Sequence, residues 1–220
     1  MFLALDKYLW FKKTKELLTT GTILDLGGGE VLFESLFPEK ASQATILEVS
    51  ANHRAGNTPF VVYGGRTFPF KNKSFDIGIA LQTLEHIPPK VRKLLMAEFR
   101  RVIRTQIILA FPTRRLHFER IFMAVFMLYS IIGMPNMKRF YNEHLRYGLP
   151  KMKVAIEYFE RAPSLSRQYF GRLSCLVLLV QLIFPIFIPL SPFLDAVIKR
   201  LNDRDPIFAL LCWNQHGLEK

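Results

Sequence analysis

Thr22-Ile23-Leu24-Asp25-Leu26-Gly27-Gly28-Gly29-Glu30 decides how the rest of the chain is read. A short apolar run ends in an acid and opens into three consecutive glycines. Val31, Leu32, Phe33, Leu36 and Phe37 follow at helical spacing, up to Pro38. A strand that feeds a glycine turn and then a helix gathers backbone N–H groups and the positive end of a helix at one point, where a nucleotide-type ligand can sit.

Working outward, a second apolar run, Thr45 to Val49, carries Glu48 at its end, 23 residues after Asp25. A third run, Pro59 to Tyr63, leads into Gly64-Gly65-Arg66. A fourth, Phe75 to Leu81, is followed by Gln82-Thr83-Leu84-Glu85-His86-Ile87. A helix is expected from Val91 to Arg104, and a fifth strand from Gln106 to Phe111, closing on Pro112. Strands alternating with helices or short loops argue for an α/β fold on a parallel sheet. Ahead of this pattern, Leu5, Leu9, Leu17 and Leu18 among lysines predict an amphipathic helix over residues 2–18.

After Thr113 the regular alternation stops. Residues 121–134 are uncharged but too few to span a bilayer. Residues 173–194 are also uncharged, and prolines 185, 189 and 192 break their second half. An interfacial or re-entrant segment fits that stretch, and a core helix ending in a proline turn fits it slightly better than a full span does. The polar cluster Asn142 to Pro150 reads as a lid loop, followed by a helix near Lys151 to Phe159 and a return strand at 206–213. The chain thus divides into a core over 1–112 and a largely helical, apolar extension over 113–220 that serves as substrate lid or membrane contact.

The 220 residues are half hydrophobic, with 20 Phe and a net charge of +12. That composition argues against disorder and for an anionic partner surface. Cys175 and Cys212 have neither metal-ligand spacing nor the density of a disulfide scaffold. With Asp6 and Lys7 interrupting Leu3 to Trp10, no secretory signal pattern is present, and a cytoplasmic location, peripheral to membrane, is expected.

Asp25-Leu26-Gly27-Gly28-Gly29, Glu48, Phe68-Pro69-Phe70 before Ser74-Phe75-Asp76, and Leu84-Glu85-His86-Ile87, in this order and spacing, resemble class I S-adenosylmethionine-dependent methyltransferases, the broad small-molecule and ubiquinone-biosynthesis-type group. The resemblance covers residues 20–112. It implies a Rossmann-like sheet and S-adenosylmethionine as cofactor, with Asp25 near the methionine amino group and Glu48 on the ribose hydroxyls. Gly27 and Gly29 would allow close backbone approach, and Gly28, Gly65, Arg66 and Gln82 complete the implied cofactor set. Val31 stands where the family usually has a third glycine, and Gly64-Gly65-Arg66 where it commonly has an acid for the adenine. A nicotinamide-binding pattern would need glycine at Leu32 and has no use for the acid before the glycines.

Methyl transfer requires in-line positioning of a nucleophile and, for some acceptors, a base. His86, Glu143 and His144 are the candidates, with His117 a weaker one. Arg114-Arg115, directly after strand five, and Tyr147 are candidate substrate contacts, whereas the basic residues on the preceding helix, Arg100-Arg101 with Arg104, read as a solvated face. The expected acceptor is a small molecule, a lipid, or a lipid-linked or phosphate-bearing compound met at an anionic membrane surface. Nucleic acid is the less favoured partner, because no RNA-binding module accompanies the charge. A non-catalytic interaction protein on the same fold is the third reading.

Overall fold

The computed structural model describes residues 14–29, 33–54, 56–113, 127, 131, 137–158, 164–170 and 208–214. Seven strands form one sheet: β1 (Ile23–Leu26), β2 (Ala44–Glu48), β3 (Phe60–Val62), β4 (Phe75–Leu81), β5 (Ile103–Pro112), β6 (Ser164–Phe170) and β7 (Phe208–Asn214). Their order across the sheet is β3-β2-β1-β4-β5-β7-β6. The first five are parallel, and β7 runs antiparallel between β5 and β6. The mostly parallel α/β sheet expected from the sequence is therefore present.

Burial explains why these segments are strands. β1 is buried along its whole length, as a central parallel strand covered on both faces must be. Alternate residues serve opposite faces. Leu24 and Leu26 join Phe99, Leu109, Phe111 and Trp213 in one core, while Ile23, Ile46, Ile77, Ile79 and Ile108 pack with Phe33 and Phe37 in the other. Gly78 interrupts the apolar run of β4 for a packing reason. A Cβ there would lie 2.7 Å from Phe99 Cζ and 2.8 Å from Ile103 Cγ1, so the missing side chain makes room for the ring.

Helix α1 (Phe33–Leu36) is short and leads into a 3-10 turn over Pro38–Gln43. Helix α2 (Pro89–Val102) starts with proline in its first turn, where no N–H partner is lost. It buries Arg92, Leu95, Met96, Phe99 and Val102, a stripe at the spacing of one helical face. Removing the Phe99 ring would cost about 3–5 kcal/mol. Helices α3 (Met137–Tyr147) and α4 (Met152–Glu157) follow, and Met152 and Ile156 of α4 pack on the same core as Phe99.

Three departures from the sequence reading exceed two residues. β5 begins at Ile103 rather than Gln106, because Phe75 of β4 pairs with it there, just before a register shift. Asn142 to Tyr147 is helix, not loop. Gly148, at φ +64°, and Pro150 act as stop signals just past a helix end, and Arg139–Glu143 is an i,i+4 ion pair within it. Strand β6 has no counterpart in the sequence reading. It pairs with β7 from Ser164 opposite Asn214 to Phe170 opposite Phe208.

The apolar stretches 121–134 and 173–194 lie outside the described residues, apart from Met127 and Ile131, which are helical and exposed. The helix expected over 2–18 is described only from residue 14. Among the described residues no helix is long and apolar enough to cross a membrane.

Candidate active site

In the order β3-β2-β1-β4-β5, the chain leaves β1 toward β2 on one side and reaches β4 on the other. The crevice at the carboxyl end of such a switch point is where ligands bind in open α/β sheets. Asp25, Glu48 and the Gln82-to-His86 segment all come to that edge.

Asp25 is the third residue of β1 and 6% exposed, and Glu48 ends β2 and is 7% exposed. Burial, and then the charge of Glu48, pushes the Asp25 carboxyl up to about 7. Glu48 is held from several sides. Its Oε1 accepts from Gly29 N–H at 3.3 Å, its Oε2 from Val49 N–H at 3.0 Å, and His53 Nδ1 lies 3.2 Å from Oε2. Two buried acids on neighbouring strands repel each other. They fit a ligand that brings positive charge to one and hydroxyl donors to the other, the two groups that S-adenosylmethionine carries in its amino end and its ribose.

The glycine turn has a reason that the sequence did not show. A Cβ on Gly28 would run into the Asp25 carboxylate, and one on Gly27 into the Thr83 methyl. On Gly29 it would stand 2.7 Å from the His53 carbonyl oxygen. Gly27 also sits at φ +77°, in the left-handed region. The protein's own atoms crowd this turn before any ligand does. Thr83 completes it by donating from Oγ1 to the Leu26 carbonyl at 2.9 Å.

Beside Glu48, Val49 is 56% exposed, and Gly65, at φ +78°, has Val49 as the neighbour nearest its missing side chain, at 4.0 Å. Gly65 therefore joins the Glu48 side of the crevice, with Arg66 exposed next to it. Gln82 leaves β4 at φ +54°, a conformation that residues other than glycine rarely adopt. Its N–H donates to the Ala110 carbonyl at 2.6 Å, so this strained residue is fixed between β4 and β5.

After β4, a 3-10 turn over Leu84–His86 buries Leu84 and Glu85 and leaves His86 at the edge of the crevice. His86 Nδ1 meets Glu143 Oε2 at 2.6 Å, both side chains being about one quarter exposed. A carboxylate only accepts, so the proton of this bond belongs to Nδ1, and in the neutral ring Nε2 is the nitrogen with the lone pair. His144 is the next residue of α3. Tyr147 ends that helix, with Arg146 5.7 Å from its ring and its carbonyl 3.5 Å from Arg92 Nη2. Arg114, Arg115 and His117 lie outside the described residues.

Arg92 anchors this arrangement from beneath. Its Nε donates to the Ile87 carbonyl at 2.8 Å and its Nη2 to the Gly148 carbonyl at 3.0 Å. The turn that carries His86 and the end of α3 are thereby tied to one buried guanidinium, whose pKa burial lowers.

Residues that the sequence reading passed over also meet here. His53 bridges from Glu48 to Arg139, whose Nη1 donates to His53 Nε2 at 3.3 Å. Arg139 Nε lies 3.6 Å from Glu143 Oε1. The four-residue spacing of Arg139 and Glu143 was the available signal for their pairing on a helix. Nothing local marked His53 or Thr83.

A family profile described as a methyltransferase domain matches residues 24–111. No curated protein matches the chain in sequence. Among solved structures, an S-adenosylmethionine-dependent methyltransferase from Archaeoglobus fulgidus is similar at TM-score 0.58 and 11% identity, over 94% of this chain and 93% of that one. Phosphoethanolamine N-methyltransferase 2 of Haemonchus contortus, in complex with phosphomonomethylethanolamine and S-adenosylhomocysteine, is similar at TM-score 0.57 and 14% identity. That match covers 96% of this chain and 53% of that one. At such identities the likeness is one of fold.

Proposed function

We infer that residues 24–111, which match a methyltransferase-domain profile, form a class I S-adenosylmethionine-dependent methyltransferase, and that the chain methylates a nitrogen or oxygen of a small, phosphate-bearing or lipid-type acceptor. The observation that carries the base assignment is the 2.6 Å contact of His86 Nδ1 with Glu143 Oε2 beside the two buried acids.

S-adenosylmethionine supplies an activated methyl group on a sulfonium, so the protein's task is to bind, orient and remove a proton. Asp25 would take the cationic amino end and Glu48 the ribose hydroxyls, with Gly65, Arg66 and Gln82 bordering the same crevice. Held there, the cofactor would supply its methyl group to a nitrogen or oxygen of the acceptor. The acceptor's proton passes to His86 Nε2. Glu143 holds the ring in the tautomer that leaves Nε2 basic and stabilises the imidazolium that forms, the arrangement of a carboxylate-oriented histidine base.

Three features favour a phosphate-bearing or lipid acceptor: the net charge of +12, Arg114-Arg115 immediately after β5, and the uncharged stretches flanked by basic residues. The Haemonchus enzyme is a precedent for a phosphate-bearing amine on this fold. Incubation with methyl-labelled S-adenosylmethionine tests the reading against phosphate-bearing amines and anionic vesicles. Label in a phosphate-bearing or lipid product is the expected outcome. Label confined to RNA would overturn the acceptor class, and absence of S-adenosylmethionine binding by calorimetry would overturn the enzyme reading itself. Flotation with anionic vesicles at low salt tests the membrane contact separately, and a chain that stays unbound removes it.

A further inference from the structure

Glu48, His53, Arg139, Glu143 and His86 form one continuous line of hydrogen bonds and ion pairs. A guanidinium carries only donors. His53 Nε2 must therefore accept from Arg139, and the ring proton of His53 sits on Nδ1, aimed at Glu48 Oε2. At the far end, Glu143 receives the Nδ1 proton of His86. Arg139 stands between the two histidine–carboxylate pairs as the cation that both address.

The line also fixes where α3 lies. His53 follows β2, His86 follows β4, and β1 lies between those strands. A helix that reaches both segments from Arg139 and Glu143, one turn apart, passes across the carboxyl end of β1 and its glycine turn. His53 side-chain exposure is 24% and that of Arg139 is 39%, so the link is partly shielded from water and less screened than a surface pair.

Resting on the reading above that Glu48 receives the cofactor's hydroxyls and His86 the acceptor's proton, we propose that Arg139 is a positioning residue that couples the two sides of the crevice. A hydroxyl on Glu48 competes with His53 Nδ1–H for Oε2. A weaker bond there makes His53 Nε2 a poorer acceptor, and Arg139 shifts its attraction toward Glu143. Charge drawn onto Arg139 loosens the hold of Glu143 on the His86 Nδ1 proton. Occupation of the Glu48 side is thereby registered at the base before an acceptor arrives.

The imidazole N–H resonances of the full chain, labelled with nitrogen-15 histidine and assigned with His86→Gln and His53→Gln, read this directly, with S-adenosylhomocysteine as the probe. In the parent, the probe is expected to move the His86 Nδ1–H signal. In Arg139→Gln it binds, but the signal moves by less than about a tenth as much, and Arg139→Lys restores at least half of the movement, since a lysine keeps the charge. A His86 signal that moves equally in Arg139→Gln, or that does not move in the parent, overturns the coupling. Should Arg139→Gln fail to fold, His53→Gln breaks the line from the other side and is read the same way. Methyl transfer in His86→Gln is measured independently. Full transfer there, with the signal still moving in the parent, sinks the base assignment and leaves the coupling standing.

Discussion

His86 and Glu143, 57 positions apart in the chain, meet at 2.6 Å between Nδ1 and Oε2, on a turn and a helix that Arg92 ties together from below. Under the proposed reading, this pairing orients His86 as the base.

Replacing His86 with Gln should lower methyl transfer by about 10²–10⁴-fold, the usual range for a positioned general base, with the dissociation constant for S-adenosylmethionine changed less than about threefold. Glu143→Gln should fall short of that loss, because the ring keeps a hydrogen-bonding neighbour but loses the charge that stabilises the imidazolium. Turnover to S-adenosylhomocysteine, set beside calorimetry of the cofactor, separates these effects. Equal weakening of binding and turnover would point to collapse of the crevice instead.

Cofactor affinity should depend on pH through Asp25. Its folded value of about 7 lies above the ordinary 3.8 because of burial and the neighbouring Glu48. A cation bound there favours the ionised form, so affinity rises with pH up to about 7 and then levels, falling by about tenfold per pH unit below that point. In the free protein the sign is opposite for stability: between about 4 and 7 the folded state holds the extra proton, and this group's contribution to stability declines as pH rises. Asp25→Asn should flatten the binding profile measured by calorimetry from pH 5.5 to 8.

Glu48→Ala should weaken S-adenosylmethionine binding by about 10- to 100-fold, the equivalent of a lost charge-assisted hydrogen bond. It also removes the acceptor of the Gly29 and Val49 N–H groups, so part of the loss is disorder of the glycine turn. A dissociation constant equal to the parent's would remove Glu48 from the binding site.

Gly27→Ala should destabilise the fold by about 1–3 kcal/mol, since φ is +77° and the new methyl meets Thr83. Thr83→Ser in the same chain removes the obstructing methyl and keeps the hydroxyl that bonds Leu26. The double variant should recover part of the loss in Tm but not all of it, because the dihedral strain stays. Full recovery would show that the clash alone mattered.

Arg92→Ala should cost about 1–3 kcal/mol, the loss expected when partly buried carbonyls lose their hydrogen-bond donor. Arg92→Lys should rescue little, because one ammonium cannot reproduce a fork that reaches the Ile87 and Gly148 carbonyls together. Denaturant unfolding measures both. A stable Arg92→Ala protein would mean that α3 is held to the turn by other contacts.

The glycine turn, the acids at Asp25 and Glu48 and the five parallel strands were legible because each is a local pattern: an apolar run, an acid at its end, a glycine where the chain bends. The reason for the glycines was not. Their Cβ positions are filled by Asp25, Thr83 and His53, and Thr83 arrives from 57 residues away. The second half of α3, from Asn142, was read as a loop because Asn142, Gly148 and Pro150 look alike as loop residues and as the borders of a helix. Strand β6 passed unnoticed, since Ser164-Leu165-Ser166-Arg167-Gln168-Tyr169-Phe170 has too few apolar residues to stand out from its surroundings.

By itself, the sequence determined the fold class and the kind of ligand, because strand period, glycine turn and strand-end acids are set by neighbours in the chain. Only the tertiary structure decided which side chains His86 and His53 meet and what holds them. Arg139 reaches His53 across 86 positions and Glu143 reaches His86 across 57. Side chains so far apart meet only where the packing of α3 over the sheet edge brings them, and no local pattern encodes that distance.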